Sequence, residues 1–404
     1  MREELLHFIW QSRYFNHREL ITEAGDPLFI HHPGDPNTDQ GPDFKDARIT
    51  IGDTPLEGHV ELHVRTTDWL RHSHTGDPHY RSVILHVVWE NDTIAPPADI
   101  PILTLCGRTP KSLLPRYRLF MSARNFVPCE PLLPASTIPW SAPSPAPWPR
   151  FRQTLLLQRL NHRTALIRAL LDENRPHWDE TIFRLIARSL GQPVNTDAFL
   201  EIARAFPLTF LLRRRTDPAR LESLFLEQAA RLAQPLSFSR MRPAHSPHVR
   251  LRQLAALLGR YTGWFTTLIE SADPAALLET LDAGGLGSQT KRSILINAFI
   301  PFLYAYGILR QEPRQRSKAI EWLEQTPPEN NTIIRRWQAL GLPARNAADT
   351  QALLELRKNY CAPKKCLDCA IGQTLLTAGG PATHATNLPA TTPPATAAAG
   401  VPTP

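Results

Sequence analysis

Hydrophobic and polar positions follow two different rhythms along this chain, and the change falls near residue 130. Residues 2–15 bring Leu5, Leu6, Phe8, Ile9 and Trp10 close to one helical face with charges elsewhere, which predicts a first amphipathic helix. Extended segments follow. Leu28 to His32 is a short apolar run before Pro33-Gly34, Ala47 to Ile51 alternates and stops at Gly52-Asp53, and Gly58 to Val64 alternates again. Val83 to Trp89 is a continuous apolar run of the kind found in strands buried on both faces, and Ile102 to Leu105 is a candidate fifth strand. Thr67 to Ser82 leaves room for a short helix or structured loop. A helix, three strands, a crossover and further strands make an α/β domain over residues 1–130, a small mixed sheet with flanking helices.

Pro128 to Pro149 holds eight prolines among Ser and Ala, and proline sustains neither a helix nor a sheet ladder, so residues 131–150 are predicted to be a linker. Beyond it the rhythm is helical. Phe151–Leu171, Trp178–Leu190, Thr196–Ala205, Arg220–Leu232, Val249–Leu268, Pro274–Leu281, Lys291–Gly307, Gln315–Gln325 and Thr332–Leu340 all show helical spacing, predicting an all-α domain over residues 151–376. Residues 377–404 are Ala, Thr and Pro with hardly a charge, the composition of a disordered tail.

A net charge of +7 favours a polyanionic partner such as nucleic acid or an anionic membrane face. No uninterrupted run of 18 apolar residues is seen, and the first residues are not signal-like, so the expectation is a cytoplasmic protein without a membrane partner. In that reducing setting five cysteines at irregular spacings point to metal or free thiols over disulfides.

The chemistry concentrates between Gly34 and His63. On a strand Glu61 and His63 share one face while Val60, Leu62 and Val64 take the other, and Asp43, just ahead of the preceding strand, can meet Glu61 across a hairpin. Two carboxylates and a nitrogen base at one sheet edge suit a hard divalent ion, Mg²⁺ or Mn²⁺, with its activated water. Pro42-Asp43 at the head of one strand, Glu61-Leu62-His63 on the next and an acid in the first helix resemble the PD-(D/E)xK nuclease superfamily. The resemblance implies Asp43 and Glu61 as metal ligands, Glu4 (or Glu3) as a helix-borne acid, and His63 where the superfamily has lysine. It implies metal-dependent cleavage of DNA or RNA, with a non-catalytic nucleic-acid-binding or scaffold protein as the alternative. The chain also resembles an uncharacterised bacterial family through Gly41–Phe44, Val60–His63, Asp68–His74, Tyr80–Val88 and Tyr360–Gly372.

Ten of the fifteen histidines lie in the first 90 residues. His72-Ser73-His74-Thr75-Gly76-Asp77-Pro78-His79 resembles the ligand run of metallo-β-lactamase-type hydrolases, with one extra residue on each side of the aspartate, which implies a zinc-dependent hydrolase as a further alternative. In the nuclease reading His72, His74 and Gln40 line the cleft, and His86, inside an apolar run, is a hydrogen-bonded core histidine. Cys361, Cys366 and Cys369 fall within nine residues, a spacing that lets three sulfurs return to one Zn²⁺ or [4Fe-4S] cluster, with Cys129 as fourth ligand and Cys106 next. In the helical domain Arg242, Arg250 and Arg252 precede or open a helix and are candidate phosphate contacts.

Overall fold

The alternating runs of the N-terminal region pair into one curled mixed sheet in the structure, a computed structural model that describes residues 1–95, 98–133, 148–173, 177–238, 246–342 and 344–378. The strands are β1 (Leu28–His32), β2 (Asp35–Pro36), β3 (Phe44–Ile51), β4 (Thr54–Arg65), β5 (Val83–Glu90) and β6 (Ile102–Thr104), in the order β1-β3-β4-β5-β6 with β2 also on β3. The pairs from β1 to β4 are antiparallel, with β3 and β4 joined by the tight turn at Gly52-Asp53, whereas β4, β5 and β6 run parallel and therefore need crossovers. β4 is covered on both faces from Val60 to His63, so it carries polar groups into the interior and not to a solvated sheet face.

Glycine makes the central pairing possible. A Cβ on Gly58 would lie 2.5 Å from the Ser82 carbonyl oxygen and 2.6 Å from Ile84 Cγ2, so only hydrogen fits where the chain enters β5 beside β4. One extra residue in β3 between Phe44 and Ala47, with Asp46 at φ +57°, makes a β-bulge directly beyond Asp43.

Three helices belong to the same unit: α1 (Glu3–Gln11), α2 (Asp68–Arg71) and α3 (Leu113–Ser122). α1 buries Leu5, Leu6, Phe8, Ile9 and Trp10, the face its spacing predicts. α3 was not among the predicted helices; Leu113, Tyr117 and Phe120 are its buried side chains. The chain forms two compact units, Met1–Leu132 with the described residues from Lys364 onward, and Leu133–Pro363. The residues from Lys364 thus group with the sheet and not with the helices before them. Arg116 donates to the carbonyls of Leu375, Leu376 and Ala378, and Tyr14 Oη donates to that of Thr377, tying down the closing helix Ala370–Thr377.

The second unit is helical throughout its described residues. Trp178–Leu190 matches its predicted bounds, and most others agree within three residues at each end. The long helix predicted over Val249–Leu268 is two, Pro247–Gly259 and Trp264–Glu270, broken at Gly263 with φ +91°. Leu208–Leu212 and Ala347–Leu356 were not foreseen. Ser288–Leu309 is one continuous helix of 22 residues, long and apolar enough to cross a membrane, but its apolar window is 72% buried within this unit and Leu295–Ala305 form part of its core. Of the predicted linker, residues 134–147 lie outside the described residues, and a helix already begins at Trp148. Residues 379–404 of the predicted tail lie outside them too.

Candidate metal centre

The site is built from β4 outward. Glu61 of β4 pairs in register with His86 of β5, and side chains paired in a parallel ladder share a face, so Glu61, His63 and His86 rise from the same side of the sheet. The bulge in β3 holds Asp43 against that edge: its backbone N–H donates to Glu61 Oε2 at 3.1 Å, and its own Oδ2 accepts from the Leu62 N–H at 3.0 Å. The segment after β4 then folds back over the face. Asp68 accepts from the Arg65 N–H at 3.0 Å and starts α2, whose Trp69 is buried. Ser73 and Gly76 at positive φ turn the chain so that His74 is buried and the exposed His72 still reaches His63, and Asp77 caps the short 3₁₀ turn Pro78–Tyr80 by accepting from the His79 N–H at 2.9 Å.

The result is a tight imidazole cluster around one carboxylate. One ring nitrogen each from His63, His72 and His74 lie within 4.8 Å of one another. His63 Nε2 is 3.1 Å from His72 Nδ1, and its Nδ1 is 2.9 Å from His86 Nε2. Glu61 Oε1 lies 3.2 Å from His74 Nε2 and 3.6 Å from His63 Nε2. His74 Nε2 is buried and makes no hydrogen bond despite that proximity. Aromatic walls fix the rings: Tyr80 stacks on His74 at 3.8 Å between centroids, and Trp69 lies against His63, His74 and His86.

Burial sets the protonation of the cluster. It pulls His63 down to about 2, with His86, His72 and His74 adding to the effect, and His86 down to about 4. His74 is lowered by burial and then by His72. All three are neutral at pH 7, the form that binds a metal. Burial, reinforced by the charge of Asp43, holds the Glu61 carboxyl above the usual carboxylate range.

The family comparison meets this geometry directly. A family described as protein of unknown function (DUF2851) matches residues 3–236 and 279–332, well over half of the chain. The chain belongs to that family. No curated protein and no solved structure matches it. The matched residues include every member of the histidine and carboxylate cluster, as well as Cys129, and end before Cys361, Cys366 and Cys369.

On α1 Glu4 is exposed, Glu3 is half-buried with its charge among those that raise Glu61, and His7 puts its Nε2 3.2 Å from Asp43 Oδ2. Burial lowers the His7 pKa, but Asp43 and then Glu3 and Glu4 outweigh it, so the net shift is upward. His7 sits one turn from Glu3, and that i, i+4 spacing was the available signal. His86, expected as a core histidine, is buried and bonded to His63, which makes it a support for the cluster. Gln40 is exposed in the loop ahead of Asp43.

The arginines expected to contact phosphate are placed differently. Arg250 is buried, with its Nη1 donating to Gln253 Oε1 at 2.8 Å, so it does not present itself to a phosphate as expected: its helix turns that face into the core. Arg252 is exposed and paired with Glu222 at 3.1 Å, and Arg242 lies outside the described residues. Cys129, Cys366 and Cys369 share the first unit. Burial pushes Cys129 up to about 12 with the neighbouring Cys369 and Cys366 adding to it, and Cys366 to about 12 with Cys369 adding. Gly372 lets the closing helix seat on the Cys366 backbone, since a Cβ there would meet the Cys366 carbonyl oxygen at 2.3 Å. Cys361 ends the turn Arg357–Cys361 of the helical unit, and Cys106 is exposed.

Proposed function

We propose that this protein is a metal-dependent hydrolase that cleaves phosphodiester bonds of nucleic acid in the cytoplasm. The observation that carries the reading is the convergence of Glu61, His63, His72 and His74 on one point, with Asp43 anchored beside them. A divalent ion held there would supply Lewis-acid activation of water and of a phosphoryl oxygen. The imidazole-rich donor set favours Mn²⁺ or Zn²⁺ over Mg²⁺, which prefers oxygen ligands. Asp43, kept in place by the Leu62 N–H, orients the attacking water, and half-buried His7, protonated more readily than usual beside Asp43, delivers a proton to the leaving oxygen. The net charge of +7 and the likeness of Pro42-Asp43 and Glu61-x-His63 to the PD-(D/E)xK pattern support nucleic acid as the substrate. Zn²⁺ or an iron–sulfur cluster on Cys129, Cys366 and Cys369 is a second, structural metal in this proposal.

The test is incubation of the chelator-treated protein with labelled single- and double-stranded DNA and RNA, with Mg²⁺, Mn²⁺ or Zn²⁺ restored in turn. Cleavage restored by Mn²⁺ or Zn²⁺ and absent from Glu61→Gln is the expected result. Metal binding and nucleic-acid binding with no cleavage of any substrate would replace this reading with the non-catalytic one.

A further inference from the structure

The helical unit contains a polar cleft of about 1000 Å³. Arg159 and Arg163 reach it from the helix Trp148–Glu173, Arg188 from Trp178–Leu190 and Arg292 from Ser288–Leu309. Its carboxylate, Glu329, is already engaged by Thr350, Gln351 and Asn297. Arg159 has Gln351 and, at 3.6 Å, Glu355, which His162 contacts more closely at 3.0 Å.

The other three guanidiniums have little to balance them. Arg163 donates to the neutral Asn297 Oδ1 at 3.1 Å. Arg188 reaches only exposed Asp197, at 3.8 Å, and its Nε is buried without a hydrogen bond. Arg292 has neither a hydrogen bond nor an ion pair among the described residues. Gathering guanidiniums out of bulk water is costly unless an anion joins them, so the arrangement reads as one half of an ion pair. Burial followed by the neighbouring Arg159 and Arg188 lowers even Arg163, to about 10, although Glu329 and Glu355 act the other way. The rest of the lining has two characters: Ile296, Ile333, Leu354 and Pro328 are apolar, and Gln192, Gln289 and Asn330 bring amides. The volume lies at the upper end of the range for small-molecule sites.

We propose that this cleft is an anion site that binds a phosphate-bearing ligand of nucleotide size, its phosphates on Arg163, Arg188 and Arg292 and its flat ring against the apolar side. Planar guanidiniums match phosphate oxygens in pairs, which is why the class is phosphate and not a lone halide. The inference stands apart from the metal centre, whose residues lie in the other unit.

The experiment is calorimetric titration of the full chain with ATP, with inorganic pyrophosphate and with a short single-stranded oligonucleotide, all in EDTA so that the metal centre takes no part. Saturable binding of ATP is expected, weakened about tenfold or more by Arg188→Gln and by Arg292→Gln, the loss of a charge-assisted hydrogen bond. Binding should also weaken between about 50 and about 200 mM salt. His72→Ala should leave it unchanged. Thermal melting separates binding from mere packing: Arg188→Gln should leave the free protein at equal or higher Tm while abolishing the rise that ATP produces. No binding of ATP or pyrophosphate, preference for the oligonucleotide over ATP, equal binding by both variants, or a lowered Tm of free Arg188→Gln would each overturn the proposal.

Discussion

His72 is the one imidazole of the triad that faces solvent, whereas His63 and His74 are buried. It can therefore be removed without opening the core, and His72→Ala should keep the Tm of the metal-free protein while lowering Mn²⁺ or Zn²⁺ affinity about tenfold or more, measured by calorimetry. The same titration reports a proton. Because the Glu61 carboxyl is held above its ordinary range, it carries a proton at neutral pH without metal and loses it on binding, so metal affinity should rise with pH and the heat should depend on the buffer's ionisation enthalpy. Buffer-independent heats would show that Glu61 is already ionised. His86 acts on stability in the acid range. Its native pKa of about 4 lies below the ordinary 6.5, so between those values the unfolded chain takes up a proton that the native one refuses. Stability is then lost as pH falls through that window. In His86→Gln, denaturant melts from pH 7 to pH 4 should show a flatter decline than the parent chain.

The element that sets the centre is β4, and its constraint is closeness to the start of β5. A methyl group at position 58 would collide with the Ser82 carbonyl oxygen, which belongs to the backbone and cannot swing aside as a side chain could. Gly58→Ala should therefore cost about 1–3 kcal/mol in chemical denaturation, the usual penalty of overpacking. It should also loosen the metal centre, since the strand that moves carries Glu61 and His63. A variant as stable as the parent would mean that the strands can part there without strain.

At the scale of the whole molecule, the first unit is completed from the far end of the chain. The closing helix Ala370–Thr377 supplies the carbonyls that Arg116 of α3 binds and brings Cys366 and Cys369 to Cys129. A chain ending at Pro363 should fold its helical unit, lose hydrogen-exchange protection in α3 before β4, and lose any zinc or iron that elemental analysis finds in the full chain. Equal protection in α3 with the metal retained would show that the first unit is complete without its last segment.

Much of this was legible in the sequence. Period-two alternation placed the β3 and β4 strands, and because it is a property of the extended backbone it put Glu61 and His63 on one face with no knowledge of the fold. Helical spacing located most of the second unit for the same local reason. The residues that escaped depend on packing. His7 joins the site because α1 docks where Asp43 stands, whereas His72 and His74, already legible as cleft-lining residues, are seated by positive-φ turns at Ser73 and Gly76 that fold the segment after α2 over the sheet. Arg250 left the expected surface because its helix turned it inward, and Arg163, Arg188 and Arg292 met because three helices carry them to one cleft. Local pattern determines which face of an element is apolar; only the tertiary fold decides which polar side chains from distant elements face one another, because that depends on how those faces are buried together.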